Sequence, residues 1–233
     1  MKTCAVLASI LVLALSAFAQ TESPNRLIQF HMAIVKKGPN WTDAKNEQYQ
    51  KVRQEHRAYV TSLMESGKAV VAGRFGDDTA IVGILIFRAA SADEAKTWVD
   101  ADPAVKAGHH VNEMHPWWSE DVFGKTDTAH LKMETVYFGF LKRGPNRKEG
   151  DGNTPEVQEL QKAHIANINR LAETKKLVVA GPFGDNGDYR GIFVFRVGSL
   201  KEAQDLAATD PMIKIDRLRL ELHPWTVPAG VIP

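Results

Sequence analysis

The stretch "HRAYVTSLMESGKAVVAGRFGDD", His56–Asp78, decides the fold, because the chain writes it again as "HIANINRLAETKKLVVAGPFGDN", His164–Asn186. The two copies align at an offset of 108 residues, which also carries Gly83 to Gly191, Phe87 to Phe195 and Arg88 to Arg196. Farther on, it carries Asp102-Pro103 to Asp210-Pro211 and His115-Pro116-Trp117 to His223-Pro224-Trp225. No gap is needed from Val52 to Trp117, and roughly two in five positions are identical, far above chance for unrelated segments. Upstream, "HMAIVKKGPN" from His31 matches "YFGFLKRGPN" from Tyr137 at an offset of 106. The chain is a duplicated domain.

Each copy reads coarsely by its hydrophobic period. "LIQFHMAIV" and "ETVYFGFLK" are β-branched and aromatic runs ended by Gly-Pro-Asn, which reads as a strand followed by a turn. Apolar Val52, Tyr59, Val60 and Leu63 recur at helical spacing between Asp43 and Ser66, as do Val157, Leu160, Ile165, Ile168 and Leu171 between Pro155 and Thr174. "KAVVAG" and "AIVGILIFR" read as strands around a Gly-Asp turn. "SADEAKTWVDAD" and "SLKEAQDLAATD" open on Ser with acidic residues, an N-cap signature. A strand through His-Pro-Trp comes last, so the order is βαββαβ twice. Two helices on one face of a four-stranded antiparallel sheet make a split βαβ, ferredoxin-like unit. Its other face, with Val70, Ile84 and Ile86, has to be covered. The expected architecture is therefore α+β, with two tandem ferredoxin-like βαββαβ repeats packed sheet to sheet within one chain. The expected boundaries are 26–120 and 133–228, with a polar linker at 121–132.

The N-terminus carries one lysine, an apolar run from Ala5 to Leu15, and Ala17-Phe18-Ala19, the pattern of a signal peptide at 1–19; an uncleaved anchor is the alternative. The expectation is an exported protein, periplasmic or secreted. Cleavage would remove Cys4, the single cysteine, and with it any disulfide or thiolate chemistry. Losing Lys2 would also balance the basic residues against the 28 acidic ones. Charges are interspersed, with no basic stripe for nucleic acid and no basic amphipathic helix for a membrane surface. The expected partners are a small-molecule substrate or ligand and, inside the chain, the second repeat as a pseudo-dimer mate; further homo-oligomerisation stays open.

The combined pattern resembles the YCII-related domains of the dimeric α+β barrel superfamily. The carrying residues are His56, "VVAGRFGD" at Val70–Asp77, Asp102-Pro103 and Pro116-Trp117, with His164, "VVAGPFGD" at Val178–Asp185, Asp210-Pro211 and Pro224-Trp225 in the second copy. The resemblance implies a pocket holding a His/Asp acid–base dyad, His56 with Asp102 and His164 with Asp210, acting in elimination or isomerisation of a small cyclic or carbonyl compound. It implies no cofactor. Such a carboxylate fixes the imidazole tautomer and raises the basicity of the other nitrogen. Arg74 stands where the second copy has Pro182, which favours His164 as the working copy and the first as scaffold.

Blander roles compete. Asp102-Pro103 and Asp210-Pro211 can simply stop a helix. Asp77 and Asp185 read as turn residues, and Phe75 and Phe183 as core or pocket wall, although all four are candidate ligand-binding positions. His115 and His223 are further binding candidates at a pocket mouth or on the surface, with the adjacent proline ending the strand's ladder. Strand period two places His109, Glu113 and His115 on one stripe, but the second copy has Arg217 at the place of His109, and no metal is expected. Hydrolase elbows, phosphate loops, dinucleotide fingerprints and His-Glu-x-x-His are absent. An enzyme with a His/Asp dyad and a non-catalytic exported binding or interaction module are the two readings that remain.

Overall fold

The computed structural model describes residues 26–44 and 46–233, so the expected leader and Cys4 lie outside the described residues. The first repeat runs β1 (Ile28–Lys37), α1 (Glu47–Glu65), β2 (Ala69–Phe75), β3 (Ile81–Phe87), α2 (Ala92–Asp100), α3 (Pro103–Lys106) and β4 (His110–Ser119). The second runs β5 (Met133–Arg143), α4 (Pro155–Glu173), β6 (Leu177–Pro182), β7 (Tyr189–Phe195), α5 (Leu200–Ala207), α6 (Pro211–Lys214) and β8 (Leu218–Pro228), with a 3-10 turn at Asp151–Asn153 before α4.

Side-chain caps set the helix starts. Asn46 accepts a hydrogen bond from Tyr49 N, so α1 begins later than the apolar period alone suggests. Ser91 and Ser199 accept from Glu94 N and Glu202 N, as their sequence signatures predict. The Asp-Pro pairs do more than stop the second helix. Asp102 and Asp210 cap a further turn of helix, accepting from Ala104 N and Met212 N, and the proline fills the first position, where no N–H is needed.

All pairings are antiparallel, in the order β4-β1-β3-β2-β8-β5-β7-β6. Each half alone is a ferredoxin-like sheet. The halves join where β2 pairs β8, Phe75 against Trp225, and the two outer edges meet in the equivalent bridge, Trp117 against Phe183. Eight strands thus curl around one interior, the α+β barrel that the duplicated pattern predicts. Val70, Ile84 and Ile86 lie in that interior with Phe30, Met32, Phe138, Phe140, Trp117 and Trp225. Each fully buried aromatic there contributes roughly 2–3 kcal/mol by leaving water. The helices cover the outer faces in two separate clusters, one around Leu63, Phe87 and Val99, the other around Leu171, Phe195 and Met212.

The repeated Val-Val-Ala-Gly gains its meaning at the seams. A Cβ on Gly181 would sit 1.9 Å from the backbone oxygen of Trp118, and one on Gly73 would sit 2.7 Å from that of Thr226. Only a bare backbone lets the neighbouring strand approach that closely. The His-Pro-Trp prolines do not end their strands, contrary to expectation. β4 continues to Ser119 and β8 to Pro228, and the Pro116 and Pro224 carbonyls accept hydrogen bonds from Gly184 N and Gly76 N across the seams.

Candidate functional site

α1 lies over the outer face of β2 and β3 and leaves a cavity of about 880 Å³ between helix and sheet. His56 reaches it from α1, and His109 and His110 from the entry to β4. Asp102, at the cap of α3, is almost buried and lies 2.8 and 2.9 Å from His56 Nδ1 through its two oxygens. One of those oxygens also accepts from Ala104 N at 2.8 Å, so the cap holds the carboxylate still while it holds the imidazole. A carboxylate can only accept, so Nδ1 carries the hydrogen and the neutral ring presents a bare Nε2. Among the described residues that Nε2 has no hydrogen-bond partner, which is the arrangement a general base needs.

Trp41 and His110 stack with ring centroids 5.8 Å apart, and His110 meets His56 edge-on at 4.9 Å. Tyr49 packs on His109 at 5.0 Å. Burial, reinforced by the charge of neighbouring His56, pushes His110 down to about 4, so its ring is neutral at physiological pH. Among the described residues, Trp41 Nε1, His109 Nδ1 and His110 Nδ1 are buried without a hydrogen-bond partner. Apolar Val52, Val60, Val82 and Leu85 contribute the remaining walls, with Leu131 and Met133 from the start of the second repeat.

The second repeat keeps the dyad but packs it in. His164 Nδ1 donates to Asp210 at 2.6 Å, and Asp210 caps α6 through its other oxygen at 2.8 Å. Here His164 is only 8% exposed and Asp210 wholly buried, with the imidazole against Phe193. Arg217, at the place of His109, binds Asp151 through both terminal nitrogens at 2.5 and 2.9 Å and ties the 3-10 turn over this side of the repeat. That ion pair holds the Asp151 carboxyl at about 2. Open space therefore lies at His56, in the copy that Arg74 suggested was scaffold.

Asp77, Asp185, His115 and His223 form a different structure, inside the barrel. His115 Nδ1 faces Asp185 at 2.6 Å and its Nε2 faces Glu113 at 3.0 Å; Glu113 in turn meets Lys36. By the pseudo-twofold, His223 faces Asp77 at 2.7 Å and Glu221 at 3.2 Å, and Lys142 meets Glu221 at 3.3 Å. Each histidine thus takes its aspartate from the opposite repeat. At 7% and 1% exposure neither is at the surface, contrary to expectation. Both ring nitrogens face carboxylates, so no nitrogen is left bare to act as a base. The aspartates do follow their turns, yet their carboxylates bind across the seams. Phe75 and Phe183 are core residues, Phe75 stacking on His223 at 4.3 Å. The supposed stripe of His109, Glu113 and His115 is split, because β4 starts at His110: His109 faces the cavity and the other two the barrel.

Trp41, Tyr49, Arg53, Arg57 and His110 were not among the sequence candidates, although all line the cavity. A signal was available: these are positions at which the repeats differ, His110 answering to Leu218, Tyr49 to Val157 and Arg57 to Ile165.

Solved structures share this architecture at low identity. Chlorite dismutase from Candidatus Nitrospira defluvii in complex with imidazole superposes with a TM-score of 0.56 at 14% identity, over 90% of this chain and 93% of that one. A heme-binding protein from Thermus thermophilus superposes with a TM-score of 0.52 at 12% identity, over 88% and 93%. At such identities the likeness is one of fold. Among curated proteins no sequence matches this one. The model of the YCII-related domain matches twice, at residues 29–117 and 141–226, and the chain belongs to that family as a tandem pair.

Proposed function

We propose that the protein is a small-molecule enzyme whose acid–base catalyst is His56, positioned by Asp102, in the cavity of the first repeat. The observation that carries this reading is the bare Nε2 of His56 in the wall of a large cavity, with Nδ1 held 2.8 Å from a capped carboxylate. The step this geometry performs is transfer of a proton from a carbon next to a carbonyl to Nε2, followed by its return to a different carbon, an isomerisation. Elimination follows if a leaving group departs as the proton is taken. Asp102 stabilises the imidazolium formed in between. His164 and Asp210 are the structural counterpart.

Deuterium wash-in tests the reading. A panel of small cyclic ketones and lactones incubated in D2O is expected to gain deuterium with the unaltered protein and with His164→Ala, but not with His56→Ala. Equal incorporation with His56→Ala would sink the proposal.

A second reading, a non-catalytic binding module, draws on the neutral, buried imidazole of His110 and on the heme-binding relative of the same fold. The three histidines, the apolar walls and the arginines are of the kinds that would hold haem, His110 supplying a nitrogen to the iron and the arginines meeting its carboxylates. Titration with hemin tests it: a Soret band that shifts for the unaltered protein and not for His110→Leu favours this reading. Export belongs to the proposal too, resting on the leader-like N-terminus, and N-terminal sequencing of the extracellular or periplasmic fraction is expected to begin at Gln20.

A further inference from the structure

Three arginines line the cavity, Arg53 and Arg57 from α1 and Arg74 from β2, against a single acidic residue, Asp43. None of the three has an ion-pair partner among the described residues; Arg53 alone has an aromatic contact, 5.7 Å from the Tyr49 ring. Arg53 and Arg57 are four residues apart on one helix, where like charges repel, and they flank the catalytic His56. Arg53 is half-buried and Arg57 and Arg74 are exposed, so the three guanidinium groups are solvated and free to meet an incoming anion at the cavity's rim.

The duplication supplies an internal control. The second repeat, whose histidine is packed in, has Gln161, Ile165 and Pro182 at the three arginine positions. It also has Arg147 for Trp41, Val157 for Tyr49 and Leu218 for His110. The Trp41, Tyr49 and His110 wall and the three arginines thus belong to the first repeat, whereas the second sets Arg147, Arg190 and Arg217 at the places of Trp41, Val82 and His109, with Arg217 tied to Asp151. A shared fold requirement would have kept the aromatic wall in both.

We propose that this cavity takes a planar aromatic or conjugated small molecule bearing a carboxylate, with its ring against the Trp41 and His110 wall and its anion held by Arg57 and Arg74. This deepens the proposed function and rests on the cavity being the working site. Guanidinium forks match a carboxylate's two oxygens, and they stand on both the helix wall and the strand wall, so the anion is gripped between the two elements. A volume of about 880 Å³ accommodates a bicyclic acid together with water.

Calorimetric titration of the full chain with 2-naphthoate and with its neutral isostere 2-naphthamide tests this. The acid is expected to bind at least about tenfold more tightly than the amide, and the double variant Arg57→Gln/Arg74→Gln to remove that advantage while leaving amide binding unchanged. Trp41→Leu is expected to weaken both ligands. Equal binding of acid and amide, an arginine variant without effect, or no binding of naphthoate, benzoate or indole-3-carboxylate at about 10 mM overturns the proposal. Acid-selective binding without deuterium wash-in leaves the ligand class standing and removes the acid–base reading. Wash-in without acid selectivity does the reverse.

Discussion

Asp102 has two tasks at one carboxylate, and they can be separated by substitution. Asparagine is as good a helix cap as aspartate, so Asp102→Asn is expected to leave the urea midpoint nearly unchanged. Its amide, however, can present N–H to His56 Nδ1 and move the imidazole hydrogen to Nε2, the atom that must be bare. Deuterium wash-in is expected to fall about a hundredfold or more, and an unchanged rate would count against His56 as the base. His110 yields a pH prediction. Its ring sits at about 4 in the folded chain against an ordinary 6.5, so above pH 6.5 folded and unfolded forms are alike neutral. As pH falls from 6.5 towards 4 the unfolded chain takes up a proton that the folded one refuses, and stability drops by an amount on the order of 3 kcal/mol. Buried His31, also held below its ordinary value by burial, adds to the loss with the same sign. His110→Leu, the residue of the second repeat, is expected to flatten the slope of the urea midpoint over that window; an unaltered slope would assign it to other groups.

At the level of elements, the two Asp-Pro caps are alike in form and unequal in burden. Asp210 is wholly buried and serves a nearly buried His164, whereas His56 opens on the cavity. Asp210→Ala loses a cap and leaves an imidazole N–H unpaired away from water, a cost of about 2–4 kcal/mol. The urea midpoint of Asp210→Ala is expected to fall further than that of Asp102→Ala; the reverse order would show that burial does not set the difference. The Arg217–Asp151 clasp makes an independent claim. Asp151→Asn is expected to speed amide hydrogen exchange at 150–154 and to leave exchange in α1 untouched, because the clasp contacts only its own repeat. The Ser caps and the strands were legible in the sequence, since caps are local chemistry and strands follow the hydrophobic period, whereas the Asp-Pro pairs read only as helix stops. The third helix of each repeat was not legible, since a single turn after Asp-Pro carries no periodic signal.

For the molecule as a whole, the barrel interior belongs to both repeats at once. Phe75 packs on Phe138 and Phe140 of the other half, so neither half has a core of its own on that face. Proteolytic cleavage within the linker at 121–132 is accordingly expected to leave both fragments in one particle on size exclusion; separation of the fragments would contradict a shared core. The two seams differ in strength, one carrying a strand pairing and the other a single bridge. Gly181→Ala, which would set a methyl group against the Trp118 backbone at the weaker seam, is expected to lower the melting temperature by several degrees, whereas Gly152→Ala, with open space around it, is not.

The resemblance to the YCII-related domains implied the pairing of each helix histidine with an Asp-Pro aspartate; by itself the amino-acid sequence determined the duplication, the order of strands and long helices within each repeat and the need to cover one sheet face with the other. Those features follow from periodicity, local capping and self-similarity, which one dimension records. Only the tertiary structure decided that the Gly-Asp aspartates bind the His-Pro-Trp histidines of the opposite repeat, and that the open cavity lies at His56 while His164 is packed in. Both outcomes depend on which side chains meet across the seams and beneath a helix. Exposure and enclosed volume arise from residues far apart in the chain, here Trp41, Arg74 and His110 against Asp151 and Arg217, and no window along the sequence contains them together.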